Sequence, residues 1–117
     1  PAKIKKNIQD ILKNKKNIIY VSKISFWEIS LKYSLGKIQI EGLLLEEIEK
    51  GILQLGYEIK DIDTDEALSY YRLPKIRGHK DPFDRMLIWQ SIKNKLILIS
   101  RDSRIKSYQG TELKSIY

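Results

Sequence analysis

The stretch "HKDPFDRMLIWQ" (79–90) sets two carboxylates, Asp81 and Asp84, three positions apart just ahead of an apolar run, with Lys80 and Arg85 beside them. Two chemistries are open to such a pair. Asp81 can cap a helix whose first position is Pro82, with Asp84 in the first turn, where carboxylates suit the free backbone N–H groups. Alternatively, one of the two holds a metal ion, together with acids elsewhere in the chain. The candidates are Glu28 in "SFWE" and Asp102 just after "LILIS". An all-oxygen set of this kind suits hard Mg²⁺ or Mn²⁺. Zinc has little to bind, since the chain has no cysteine and a lone histidine, His79.

Each acid also has an ordinary structural role. Ser25 and Glu28 have the spacing of a capping box. Glu28 also precedes Lys32 by four residues, a helix-surface pairing worth ~0.2–0.5 kcal/mol. Asp102 can cap a short turn that follows it. Spacing alone leaves the metal and capping readings open. His79 reads as a loop residue that orients the cleft, and Trp27, Phe83, Met86 and Trp89 read as core.

The elements that must position these acids follow from periodicity and punctuation. Helices are expected at about 2–14, 25–35, 43–55, 64–72 and 82–94, with Gly36 and Gly56 as stops and a turn of helix around 103–107. Strands are expected at about 18–22 ("IIYVS"), at "YEIKDI", at the buried-looking "LILIS" (96–100) and at "ELKSI". Helices alternating with short β-branched runs predict an α/β domain with a mostly parallel sheet. In such sheets ligands gather beyond the carboxyl ends of strands. Glu28 and Asp102 both fall at strand exits, and Asp84 can reach the same edge from a helix N-terminus.

A chain of 117 residues reads as one domain, 1–117, with enough length for a single core. No apolar run approaches the ~20 residues of a membrane span, and no signal peptide opens the sequence. With no cysteine, disulfide frameworks are excluded, and a cytoplasmic location is expected. The net charge of +7 is uneven: residues 1–40 and 67–117 are basic, whereas 41–66 are acidic. Basic flanks suggest a polyanion partner. In residues 3–16 the lysines alternate with Ile4, Ile8, Ile11 and Leu12, so that block reads as the solvated face of an amphipathic helix.

Three blocks in order, "VSKISFWEISLKYSLGKI" (21–38), "HKDPFDRMLIWQSI" (79–92) and "LILISRD" (96–102), resemble PIN-domain proteins, and among them the VapC-type toxins of bacterial toxin–antitoxin pairs. The resemblance implies a three-layer α/β/α fold around a mostly parallel sheet. It implies an endoribonuclease that uses Mg²⁺ or Mn²⁺, is silenced by a cognate antitoxin and pairs as a homodimer. Carried over by position, the metal-binding and catalytic acids are Glu28, Asp84 and Asp102, leaving Asp81 as the helix cap. Asp81 and His79 would support the ligands from behind, and Lys80, Arg85, Arg101 and Arg104 would contact RNA phosphates. Ile8, Ile11, Leu12, Leu31 and Leu35 are candidates for partner surfaces, with core burial as the alternative. The family's first, central strand, which ends in an aspartate, has no counterpart here. The 117-residue chain is therefore expected to be an N-terminally truncated PIN domain with weakened Mg²⁺ binding and no activity of its own, the intact protein being the enzyme. The alternative function is an inactive module that binds RNA or antitoxin without cutting.

Overall fold

Ser22 ends the first strand and begins the first long helix in a single residue: its Oγ accepts a hydrogen bond from the Ile24 backbone N–H at 3.2 Å. In the computed structural model, which describes residues 4–117, this places β1 at Tyr20–Ser22 and α2 at Lys23–Ser34. The expected capping box at Ser25 is therefore incorrect. Ser25 lies inside the helix, and Glu28 sits in its second turn with its carboxylate on Lys32 Nζ at 2.8 Å. Trp27 is also a correction, being 62% exposed rather than in the core. Gly36, at φ +71°, ends the segment in the left-handed conformation that glycine adopts without penalty.

The remaining elements match the expected periodicity with shorter ends. They are α1 (Lys6–Lys13), α3 (Ile48–Gln54, entered through a 3₁₀ turn at Leu45–Glu47), β2 (Glu58–Lys60), α4 (Thr64–Ser69), α5 (Pro82–Lys93), β3 (Ile97–Ile99) and β4 (Lys114–Ile116). Short 3₁₀ segments cover Tyr70–Arg72 and Ser103–Tyr108. The first positions of the helix expected over 2–14, with Lys3, lie outside the described residues. Both strand pairings are parallel, as the βα alternation requires. β1 pairs with β2, Val21 opposite Ile59, and β3 pairs with β4, Leu98 opposite Ser115. Among the described residues the four strands form two separate two-stranded ladders.

The chain divides into two compact units, one of residues 15–62 and one of residues up to 14 together with 63–117. In the second of these, Leu73, Ile88, Trp89 and Tyr108 form the core, with Tyr70, Ile76, Met86, Ile92, Leu98, Ile105 and Leu113 packed around them. Leu98 turns inward, while Ile97 and Ile99, alternating to the other face, stay exposed. "LILIS", which looks buried in sequence, is thus a strand buried on one side only. Glu66 is 1% exposed and links α4 to α5: its backbone and carboxylate complete a capping box with Asp63, and its oxygens accept from the Gln90 and Asn94 side-chain amides. No helix among the described residues is long and apolar enough to cross a membrane.

Candidate metal centre

Asp81 caps α5: one Oδ1 accepts from the backbone N–H groups of Phe83 (2.9 Å) and Asp84 (3.3 Å), and Pro82 occupies the first helical position, where no N–H is missed. Helix geometry then leaves Asp84 half-buried at the mouth of the first turn. The next residue fixes the helix from within. Arg85 is only 7% exposed, and its guanidinium donates to the Leu73 and Pro74 carbonyls (3.2 and 3.0 Å) and to the Tyr70 and Tyr108 hydroxyls (3.0 and 2.9 Å). Its expected role as a contact to RNA phosphate is therefore corrected. Four of its five N–H donors are spent on interior acceptors.

His79 arrives on a tight turn. Its N–H bonds the Ile76 carbonyl at 3.1 Å, and Gly78 takes the positive-φ position (φ +83°) that a side chain would strain. The imidazole is 1% exposed. Nδ1 lies 2.7 Å from the Tyr108 hydroxyl, which Arg85 also bonds, and the two rings meet edge to face with centroids 5.5 Å apart. Burial pushes the Tyr108 hydroxyl above its ordinary pKa, so it stays a neutral phenol at physiological pH. The other ring nitrogen, Nε2, is buried with no hydrogen-bond partner, and it points toward Asp84 Oδ2 at 3.6 Å.

Asp102 completes the cluster from beyond β3. Its backbone N–H donates to Ser100 Oγ (3.1 Å), and its own carboxylate caps the 3₁₀ segment through the Arg104 N–H (2.9 Å). Arg104 folds back onto the same carboxylate with Nε and Nη2, the latter at 2.8 Å, and reaches within 3.8 Å of Asp84 Oδ2. The Arg104 side chain, followed by its backbone N–H, holds the Asp102 carboxyl below the ordinary aspartate range.

One donor atom each from His79, Asp84 and Asp102 lies within 4.8 Å of the others. The set fits a divalent cation: two carboxylates supply charge and hard oxygen, and an orphaned buried nitrogen can supply a lone pair when the ring proton is on Nδ1. Among the other expected site residues, Lys80 and Arg101 are exposed, Arg101 lying over the Tyr117 ring. Glu28 belongs to the unit of residues 15–62, where α2 carries it. Sequence reasoning missed Tyr108, and nothing in its local spacing marks it.

Parallel strands feeding helices, with Asp102 just beyond a strand and Asp84 in the first turn of a helix, define an α/β protein whose acids gather in one cluster. The PIN domain family model matches residues 1–110, and the chain belongs to the PIN domain family. The nuclease-type fold of this family generally goes with divalent-metal and RNA binding. No individual curated protein matches the chain.

Proposed function

We propose that this protein is a metal-dependent endoribonuclease, the VapC-type toxin of a toxin–antitoxin pair, and that residues 1–117 work as one PIN domain. The observation that carries the reading is the convergence of Asp84 and Asp102, about twenty residues apart in sequence, on one small volume within a chain of this family. Motif position adds Glu28 as a further carboxylate ligand. A bound Mg²⁺ or Mn²⁺ would lower the pKa of a water molecule and stabilise charge on the scissile phosphate.

The protein's own groups do the rest. Asp84 and Asp102 hold negative charge in a half-buried setting, and the Asp81 cap and the Arg85 anchor keep Asp84 in place. Arg104 offsets the Asp102 and Asp84 carboxylates, and its guanidinium, half exposed, would be free for a substrate phosphate were Asp102 to hold a cation. Exposed Lys80 and Arg101 contribute phosphate contacts that orient the RNA without reading its sequence. A cognate antitoxin, homodimer formation and a cytoplasmic location complete the proposal.

The test is cleavage of structured and single-stranded RNA by the full protein with Mg²⁺ or Mn²⁺, with EDTA, and with Asp84→Asn. Metal-dependent cleavage that falls at least about 100-fold in the variant is expected, because small misplacements at a reacting centre already cost that much. Cleavage indifferent to EDTA and to Asp84→Asn would overturn the assignment. RNA binding with no cleavage by the wild type would instead make the chain a binding module.

A further inference from the structure

The buried imidazole of His79 has one nitrogen engaged and one idle. Nδ1 meets Tyr108 at 2.7 Å, while Nε2, shielded from solvent, has no hydrogen-bond partner. A buried polar atom left unsatisfied costs ~1–3 kcal/mol, and sites that retain one use it for something. Its closest charged neighbour is Asp84 Oδ2 at 3.6 Å, too far for a hydrogen bond. That separation suits two donors that share one small cation, which stand roughly 3–4 Å apart when each lies ~2.1 Å from the ion.

We propose that His79 Nε2 is itself a metal ligand, joining Asp84 and Asp102 in a mixed nitrogen–oxygen site that selects Mn²⁺ over Mg²⁺. The inference rests on the metal-nuclease reading and changes its site from an all-oxygen one by adding one nitrogen to the carboxylates. Imidazole binds first-row transition ions well, whereas Mg²⁺ favours oxygen and keeps its waters. The surroundings suit a ligating histidine. In the tautomer whose Nδ1–H donates to the Tyr108 oxygen, the lone pair lies on Nε2 and faces the carboxylates, as it does when a ligating histidine gives its other N–H to a supporting group. Arg85 fixes Tyr108 in turn by donating to the same oxygen at 2.9 Å. The Arg104 guanidinium that now sits on Asp102 is half exposed and can leave without opening the core.

The chain has one histidine, so imidazole coordination in the untagged protein can be assigned without a variant. The protein is stripped of metal, titrated with MnCl₂ alone, and examined by pulsed EPR for the ¹⁴N coupling of a directly bound imidazole. MgCl₂ competition gives the relative affinity. The expected result is a ¹⁴N signal and Mn²⁺ binding at least tenfold tighter than Mg²⁺. His79→Gln, checked for folding by near-UV circular dichroism, should lose the signal and weaken Mn²⁺ binding about tenfold or more. Should that variant fail to fold, the wild-type spectrum still decides. Bound Mn²⁺ with no imidazole coupling, or equal affinity for the two ions, overturns the role of His79 and leaves the metal-nuclease reading standing. No Mn²⁺ binding at all overturns both.

Discussion

Helices α2 and α5 are twelve residues long, each is capped by a side-chain oxygen, and each carries an acid from the family motif. Their anchoring differs. In α5 five residues are buried, Arg85, Ile88, Trp89, Gln90 and Ser91, whereas α2 buries Ile24 alone. Asp84 therefore stands one residue before a guanidinium held by four interior acceptors. Glu28 is positioned by a lightly buried helix and a surface partner, Lys32. A motif acid can thus be placed in two ways, by a rigid polar network or by the helix itself, and the first leaves the carboxylate less room to move.

The strongest way to break this contrast is to remove the network. Arg85→Met keeps most of the side chain's volume but leaves the Leu73 and Pro74 carbonyls and two tyrosine hydroxyls without their donor. Each orphaned buried group costs ~1–3 kcal/mol. Relief of a buried charge and rotation of the hydroxyls offset part of that sum, so the expected loss is about 3 kcal/mol. Urea unfolding measures it. Arg85→Lys should recover little, since one ammonium cannot span acceptors arranged for a planar fork. A loss under about 0.5 kcal/mol, the range of ordinary surface changes, would mean that α5 is not anchored this way.

The α5 start was legible in "DPFD" because capping is local: an aspartate, a proline and free N–H groups within one turn. Element order was legible for the same reason, since periodicity and glycine stops act over a few residues. The fate of Arg85 was not, because its acceptors come from Tyr70, Leu73, Pro74 and Tyr108, remote in sequence and assembled only by tertiary packing. Arginine is seldom fully buried, so beside two acids it reads as a surface contact. His79 was visible as a residue but not as a buried ring with a free nitrogen. At α2 the confusion was between two serines three apart. Ser22 won the cap because β1 runs directly into the helix with no intervening loop.

A smaller effect sharpens the comparison by testing what the helices share. Ser22→Ala and Asp81→Ala each remove one capping oxygen, and each should cost ~1 kcal/mol. Equal losses would place the difference between the helices in burial, as argued. The two variants are separated by Mn²⁺ affinity: Asp81→Ala loosens the turn that carries Asp84 and should weaken it. A loss for Ser22→Ala above about 2 kcal/mol would show that α2 depends on its entry more than its burial suggests.

The smallest effect concerns the ion pair that stands where α5 has its network. Glu28 Oε2 lies 2.8 Å from Lys32 Nζ, with the lysine side chain 46% exposed and the glutamate 17%. The glutamate precedes the lysine by four residues, the more favourable order on a helix, yet solvent screening and the entropy of holding two long side chains keep such pairs near 0.3–0.5 kcal/mol. A double-mutant cycle with Glu28→Gln and Lys32→Met should return a coupling of that size. It should largely vanish at 1 M salt, where the screening length falls to about 3 Å. A partner held so weakly costs the Glu28 carboxylate little to give up. A salt-resistant coupling above about 1.5 kcal/mol would instead give α2 an anchor of its own, and the contrast with α5 would fail at its weakest point.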